Sequence, residues 1–169
     1  FGDKNILKRQ YDSMKAWVDY ILREDNRTGN QRLWTTGYHF ADWLALDGKV
    51  KGGVYAGTDP YYIASAYYFW SADRVAKAAQ VLEKTEDALF YRKLAHEIRH
   101  AIRKEYFTPT GRLSVDTQTG HALALYMGLA EEAARPRVAA ALAEKIRANG
   151  YHLDTGFVGT PYLCRALSA

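Results

Sequence analysis

The sequence has a single cysteine, Cys164, so no internal disulfide can form. Nothing in the chain demands an oxidising compartment, and the lone thiol is read as a small core residue. Long apolar runs are also missing. The longest candidate, YYIASAYYFW at 61–70, is rich in tyrosine and falls well short of the roughly 18 residues of a membrane span. No membrane partner is expected. Charge of one sign is scarce as well, because 23 basic residues face 19 acidic ones for a net +4. Basic residues gather at 92–104 (Arg92, Lys93, Arg99, His100, Arg103, Lys104), but Glu97 and Glu105 dilute them. The cluster reads as a solvated helix face, and no nucleic-acid partner is expected. No HExxH, GxSxG, GxGxxG or GxxxxGK[ST] occurs. Five histidines lack an acid that would complete a metal set, so neither a metal nor a cofactor is expected. No signal peptide or basic targeting run is visible, and the chain starts at FGDKN without Met and stops at RALSA. Both ends are expected to be cuts in a longer sequence.

What is present suits a globular, helical domain. Apolar residues are 48% and charged residues 25% of the chain. Met14, Trp17, Val18, Ile21 and Leu22 recur at the spacing of one helical face, with Asp3 as cap and NRTGN at 26–30 as the stop. Residues 31–58 keep no period and are punctuated by glycines and aromatics, which marks a long loop of functional interest. Asp59-Pro60 opens a helix to about residue 82 that is apolar nearly all round. Thr85, Glu86 and Asp87 open the next, with Tyr91, Leu94, Ala95, Ile98 and Ile102 inward, and TPTG at 108–111 ends it. Asp116 or Thr117 caps a short apolar helix to about Gly128. Arg135-Pro136 starts a fifth helix, with Val138, Leu142 and Ile146 inward, and Thr160-Pro161 starts a sixth.

Helices buried on most sides alternate with amphipathic ones. That pattern suits an all-α fold of about six helices in inner and outer layers, as in part of an (α/α)6 barrel. The loops 31–58, 111–116 and 150–159 lead into the inner helices. In a ring they share one end, where a site is expected.

Four stretches at that end carry candidate chemistry. WTTGYHFADW places Trp34, Tyr38, His39, Phe40, Asp42 and Trp43 within ten residues. Aromatic faces stack on the C–H faces of sugars, and a carboxylate accepts hydrogen bonds from hydroxyls. The same residues also fit a loop packed as core, with Asp42 as a cap. GGVYAGTDPYY at 52–62 gathers Tyr55, Asp59, Tyr61 and Tyr62, and Asp59 either binds a ligand or caps the helix. In SVDTQTG at 114–120, Gln118 and Thr119 are placed to face a ring lumen. HLDTGFVGTPY at 152–162 is a Gly-Thr loop before another helix start.

FGDKNILKRQYDSMKAWVDYI, FADWLALD, TDPYYIASAYYFWSADRVAKAAQVL, DTQTGHALALYMGL and HLDTGFVGTPYL follow one another along the chain. In that order they resemble bacterial alpha-L-rhamnosidases, with ADWL, DTQT and TGFVGTPYL as the specific parts. The resemblance implies an (α/α)6-barrel catalytic domain that releases terminal alpha-L-rhamnose with inversion, using two carboxylates. It implies that residues 1–169 are part of that domain. The family's general-acid Glu lies in a motif before the matched region and its general-base Glu in one after it, and this chain contains neither motif. The resemblance places part of the sugar pocket here. The Trp of ADWL is Trp43, the Tyr five residues earlier is Tyr38, Trp34 lies near another pocket tryptophan, and Asp42 of the same motif is expected to bind hydroxyls. A rhamnoside is then the expected partner. The alternatives are an α/α-barrel glycosidase of other sugar specificity and a non-catalytic helical-repeat module, although no fixed repeat length is visible. A chain holding only part of a ring leaves inner-helix surface uncovered, so self-association is expected.

Overall fold

The computed structural model describes residues 2–48 and 57–168. Gly52, Gly53 and Tyr55, singled out in the sequence, lie outside the described residues. The elements are α1 Asn5–Arg27, α2 Pro60–Val81, α3 Thr85–Tyr106, α4 Gln118–Tyr126, a 3₁₀ turn at Glu132–Ala134, α5 Arg135–Ala148 and α6 Thr160–Leu167. Among the described residues the β character is confined to one bridge between Phe107 and Leu113.

Local chemistry sets the helix starts. Asp3 accepts from the Asn5 amide at 2.8 Å, two residues ahead of α1, while the cap position itself falls on Lys4 and not on Asp3 as expected. Asp59 accepts from the amides of Tyr61 at 2.7 Å and Tyr62 at 3.0 Å, and Pro60 fills a position where its missing N–H costs nothing. Thr117, not Asp116, caps α4, its hydroxyl accepting from the Gly120 amide at 3.0 Å.

α2, α4 and α6 are neighbours in one layer, and α1, α3 and α5 pack outside them. α2 buries Tyr62, Tyr68, Phe69 and a series of alanines, which lets α3 lie close along its length. The inward stripe of α3 is the expected one, with Tyr91, Leu94, Ala95, Ile98 and Ile102 all buried. Val138 and Leu142 of α5 close over α4, whose residues 118–125 are buried throughout. Each large aliphatic chain so buried, such as Leu123 or Leu142, stabilises the fold by about 2 kcal/mol.

Two expectations fail, one in each layer. Trp17 is 49% exposed, because the buried face of α1 is centred on Tyr11, Val18 and Ile21. The Trp17 ring lies at the edge of that face, 5.6 Å from the ring of Trp34. Cys164 is exposed on α6 and is not a core residue, because Leu163 and Ala166 take the inward positions of that helix.

A buried histidine ties α4 to α5. His121 is 2% exposed, and its Nε2 lies 3.0 Å from Asp116 Oδ1, while Lys145 of α5 reaches Asp116 Oδ2 at 2.9 Å. Burial pushes the imidazole below its ordinary value of 6.5, outweighing the opposing pull of Asp116. Burial raises the Asp116 carboxyl, but His121 and Lys145 together hold it below its usual range. Both shifts have the same sign for stability. The unfolded chain takes up protons that the folded chain resists, so stability falls as pH falls through the unfolded values. The thermal midpoint is therefore expected to drop between about pH 7 and about pH 5, and His121→Gln is expected to flatten that slope. A midpoint that rises on acidification over this window would contradict the assignment.

Candidate functional site

The N-termini of α2, α4 and α6 meet at one end of the molecule. Thr58, just before α2, hydrogen-bonds Thr117, just before α4, at 2.7 Å between hydroxyl oxygens. Asp42 joins the long loop to the segment that precedes α6. Its Oδ2 accepts from the Gly156 amide at 2.8 Å and from the Thr119 hydroxyl. Its Oδ1 accepts from the amides of Val158 at 2.8 Å and Gly159 at 3.0 Å.

Asp42 departs from the expected hydroxyl-binding role. Its exposure is 0%, and an ionised carboxylate offers about four acceptor positions, all of which are filled by the protein. Nothing on it is left for a ligand. Thr119 and Gln118 depart from expectation for a related reason. Both are buried, Thr119 against Asp42, and Gln118 with its amide donating to the His152 carbonyl at 3.1 Å and its oxygen accepting from the Asp154 amide at 3.3 Å. They hold the loop ahead of α6 instead of facing open space. Asp59 is used as the cap of α2.

The aromatics that surround Asp42 in sequence point outward. Trp43 is 43% exposed and Tyr38 66%, and between them Phe40 bridges the two, at 5.1 Å from the Tyr38 ring and 5.9 Å from the Trp43 ring. Phe157 continues the row, stacked on Trp43 at 5.9 Å with an interplanar angle of 29°. Sequence reasoning quoted the loop that holds Phe157 without singling the residue out. The available signal was an aromatic side chain flanked by glycines in a loop that enters an inner helix.

A second aromatic group lies behind the first. Trp34 is half-buried, with its amide donating to Ser65 Oγ at 3.0 Å. Its ring meets His39 edge-on at 4.8 Å, and His39 meets Tyr61 in the same way at 5.9 Å. A cleft of about 360 Å³ opens between these groups, lined by Gly37, Tyr38, His39, Ala41, Thr58, Pro60 and Tyr61. Of the four residues expected in a pocket wall, Tyr38 lines this cleft, Trp43 stands in the exposed row, and Trp34 supports His39 from behind. Asp42 lies beneath them.

The polar groups nearby are few. Asp154 sits under the loop with Oδ1 buried and without a hydrogen-bond partner. Burial, with Asp47 and Asp42 close by, holds its carboxyl above the usual range. Among the described residues no group of three or more His, Cys, Asp or Glu side chains could hold a metal ion, and no helix is long and apolar enough to cross a membrane. Flat apolar faces with sparse polar groups around a cleft suit a small, partly apolar ligand such as a sugar ring.

Comparison with known proteins agrees in both sequence and shape. Residues 1–169 match the family model described as the bacterial alpha-L-rhamnosidase 6 hairpin glycosidase domain. An alpha-L-rhamnosidase of Streptomyces avermitilis is 35% identical over 168 residues, which is 99% of this chain and 15% of that protein. One from Formosa agariphila is 33% identical over 171 residues, 98% of this chain and 17% of that protein. The chain therefore spans less than a fifth of the curated relatives it matches. The solved structure of the native enzyme from Aspergillus terreus superposes with a TM-score of 0.87 at 35% identity, over 99% of this chain and 19% of that one. The Streptomyces avermitilis enzyme complexed with L-rhamnose gives a TM-score of 0.82 at 32% identity, over 99% of this chain and 15% of that one. The two layers of helices described above are part of an (α/α)6 barrel. With every residue inside the match, this chain belongs to the bacterial alpha-L-rhamnosidase 6 hairpin glycosidase domain family.

Proposed function

We propose that residues 1–169 are part of the α/α-barrel catalytic domain of an inverting alpha-L-rhamnosidase and supply one wall of its rhamnose pocket. The observation that carries this reading is the outward row of Tyr38, Phe40, Trp43 and Phe157 beside a cleft, in a chain of this family. Rhamnose is a 6-deoxy sugar, so one edge of its ring carries a methyl group. Aromatic faces such as those of Trp43 and Tyr38 suit that edge and the C–H faces. Trp34 backs the cleft, and Asp42 contributes from beneath.

Hydrolysis with inversion needs one carboxylic acid to protonate the leaving oxygen and one carboxylate to activate water on the opposite face of the ring. This chain supplies neither, and both belong to other parts of the protein that contains it. Such a reaction uses no cofactor. The basic residues of α3 are interspersed with Glu97 and Glu105, which speaks for a solvated face and against a nucleic-acid surface. The isolated chain self-associates through apolar surface that the rest of the barrel would cover.

The test is hydrolysis of a chromogenic alpha-L-rhamnoside by the full-length protein containing this chain. Trp43→Ala is expected to raise KM about tenfold with little change in kcat, the loss of one stacking contact that substrate and transition state share. The isolated chain is expected to show a rhamnose-dependent change in tryptophan fluorescence, no turnover, and a scattering mass above that of one chain. A full-length protein that leaves alpha-L-rhamnosides intact while cleaving another glycoside would overturn the reading.

A further inference from the structure

We infer that Asp42 is a positioning residue that fixes the sugar-facing wall from behind without touching the sugar. The inference rests on the proposed sugar-wall reading of the aromatic row. Its foundation is the alternation of three successive amides. The amides of Gly156 and Val158 donate to the Asp42 carboxylate at 2.8 Å each. Between them, the amide of Phe157 donates to the carbonyl of Trp43 at 3.0 Å. Every backbone donor around Phe157 is thus anchored on residues 42 and 43, and the Phe157 side chain is held against the Trp43 ring.

The flanks of the clamp are closed too. The Leu46 amide donates to the Asp154 carbonyl at 2.9 Å, the Gly159 amide, one residue before α6, donates to the Asp42 carboxylate at 3.0 Å, and the Thr119 hydroxyl supplies the fourth bond. Among the described residues no basic side chain pairs with Asp42, so its charge is met by backbone amides and one hydroxyl. Such charge-assisted bonds are stronger and more directional than neutral ones. An amide side chain cannot replace this carboxylate. Asparagine would turn one oxygen into an NH₂ group facing donors, and about half of the bonds would be lost.

The two rings come from segments far apart in sequence, and the clamp is what sets their spacing. Loosening it therefore changes ligand binding before it changes chemistry. In the full-length enzyme, Asp42→Asn is expected to raise KM for an alpha-L-rhamnoside about tenfold or more while kcat stays within about threefold. Phe157→Ala is expected to raise KM alone but to add little in the Asp42→Asn background, because the first change has already displaced the ring. An unchanged KM, with only the melting temperature lowered, would reduce Asp42 to a structural residue and overturn the inference. Additive effects of the two substitutions would overturn it as well, since they mean that Asp42 acts by a route independent of Phe157.

Where Asp42→Asn does not fold, Thr119→Val removes one of the four donors with little change in shape. It is expected to raise KM about threefold, with Thr119→Ser restoring the wild-type value. No change with valine overturns the proposal. Hydrogen exchange across 154–159 separates this inference from the functional reading. Slow exchange in the wild type and fast exchange in Asp42→Asn are expected even if alpha-L-rhamnosides turn out not to be the substrate. Equal exchange in the two proteins defeats the clamp itself.

Discussion

Arg32→Ala is expected to lower the unfolding free energy by about 3 kcal/mol, through the loss of a partner to a buried charge. Asp25 is 3% exposed near the end of α1. It accepts from the Arg32 amide at 3.1 Å and from Arg32 Nη1 at 3.2 Å, and Arg32 Nε reaches Glu97 of α3 at 2.7 Å. One guanidinium therefore neutralises a carboxylate inside the fold and links α1 to α3. Truncation leaves that carboxylate buried with a backbone amide and no cation. Arg32 sits at a φ of 58°, but alanine meets the same left-handed strain, so the difference between the two lies in the ion pair. Replacing both partners, Asp25→Leu with Arg32→Met, is expected to cost less than Arg32→Ala alone, since no charge is then left buried and unpaired, Glu97 being partly exposed. The urea midpoint at unchanged slope measures both. A double substitution costlier than the single one would sink the argument.

Gly156→Ala is expected to cost a similar amount, about 3 kcal/mol, by a steric route. A Cβ on Gly156 would lie 2.6 Å from the Asp42 carbonyl oxygen and 2.7 Å from the Ala45 nitrogen, and would also strike the Trp43 carbonyl oxygen. All three are backbone atoms, so no rotamer change relieves the clash. The two loops must part, and the Phe157–Trp43 stack parts with them. Gly128→Ala is the control. It has a φ of 69° with nothing within 4 Å of a Cβ, so it carries only the left-handed penalty, about 1 kcal/mol. Comparing thermal midpoints and KM for the two variants checks this. Equal losses in both would mean that the loop contact contributes nothing.

What the sequence reveals here depends on how far a residue's partners lie along the chain. Asp59 and Thr117 mark helix starts because a cap acts on amides two or three residues away, and Arg135-Pro136 and Thr160-Pro161 mark theirs because proline is tolerated in a first turn, where its missing N–H has no partner to lose. The stripe of α3 is legible for the same reason, since helical periodicity is local. Trp17 was misplaced because its neighbours Trp34 and Tyr20 make a half-wet aromatic edge attractive, and periodicity does not distinguish an edge from a face. Asp42 is the sharper case. Next to a tryptophan in a loop, a carboxylate reads as a ligand for hydroxyls. Its real partners are amides 114, 116 and 117 residues away, and no local pattern announces them. His121 with Asp116 and Lys145 was missed because the second anchor of that group comes from α5.

The distance between Asp42 and its partners also orders events during synthesis. A ribosome adds about 5–20 residues each second, so Asp42 emerges roughly ten seconds before the amides it will hold. Thr119, at a separation of 77, arrives earlier than Gly156, Val158 and Gly159. Through that interval the carboxylate stays hydrated and the α1–α2–α3 packing can form without it, because those contacts are closer in sequence. The clamp on Asp42 thus closes after the contacts among α1, α2 and α3 can form. A nascent chain halted before residue 156 would already hold its helical hairpin but would lack the Trp43–Phe157 ring pair.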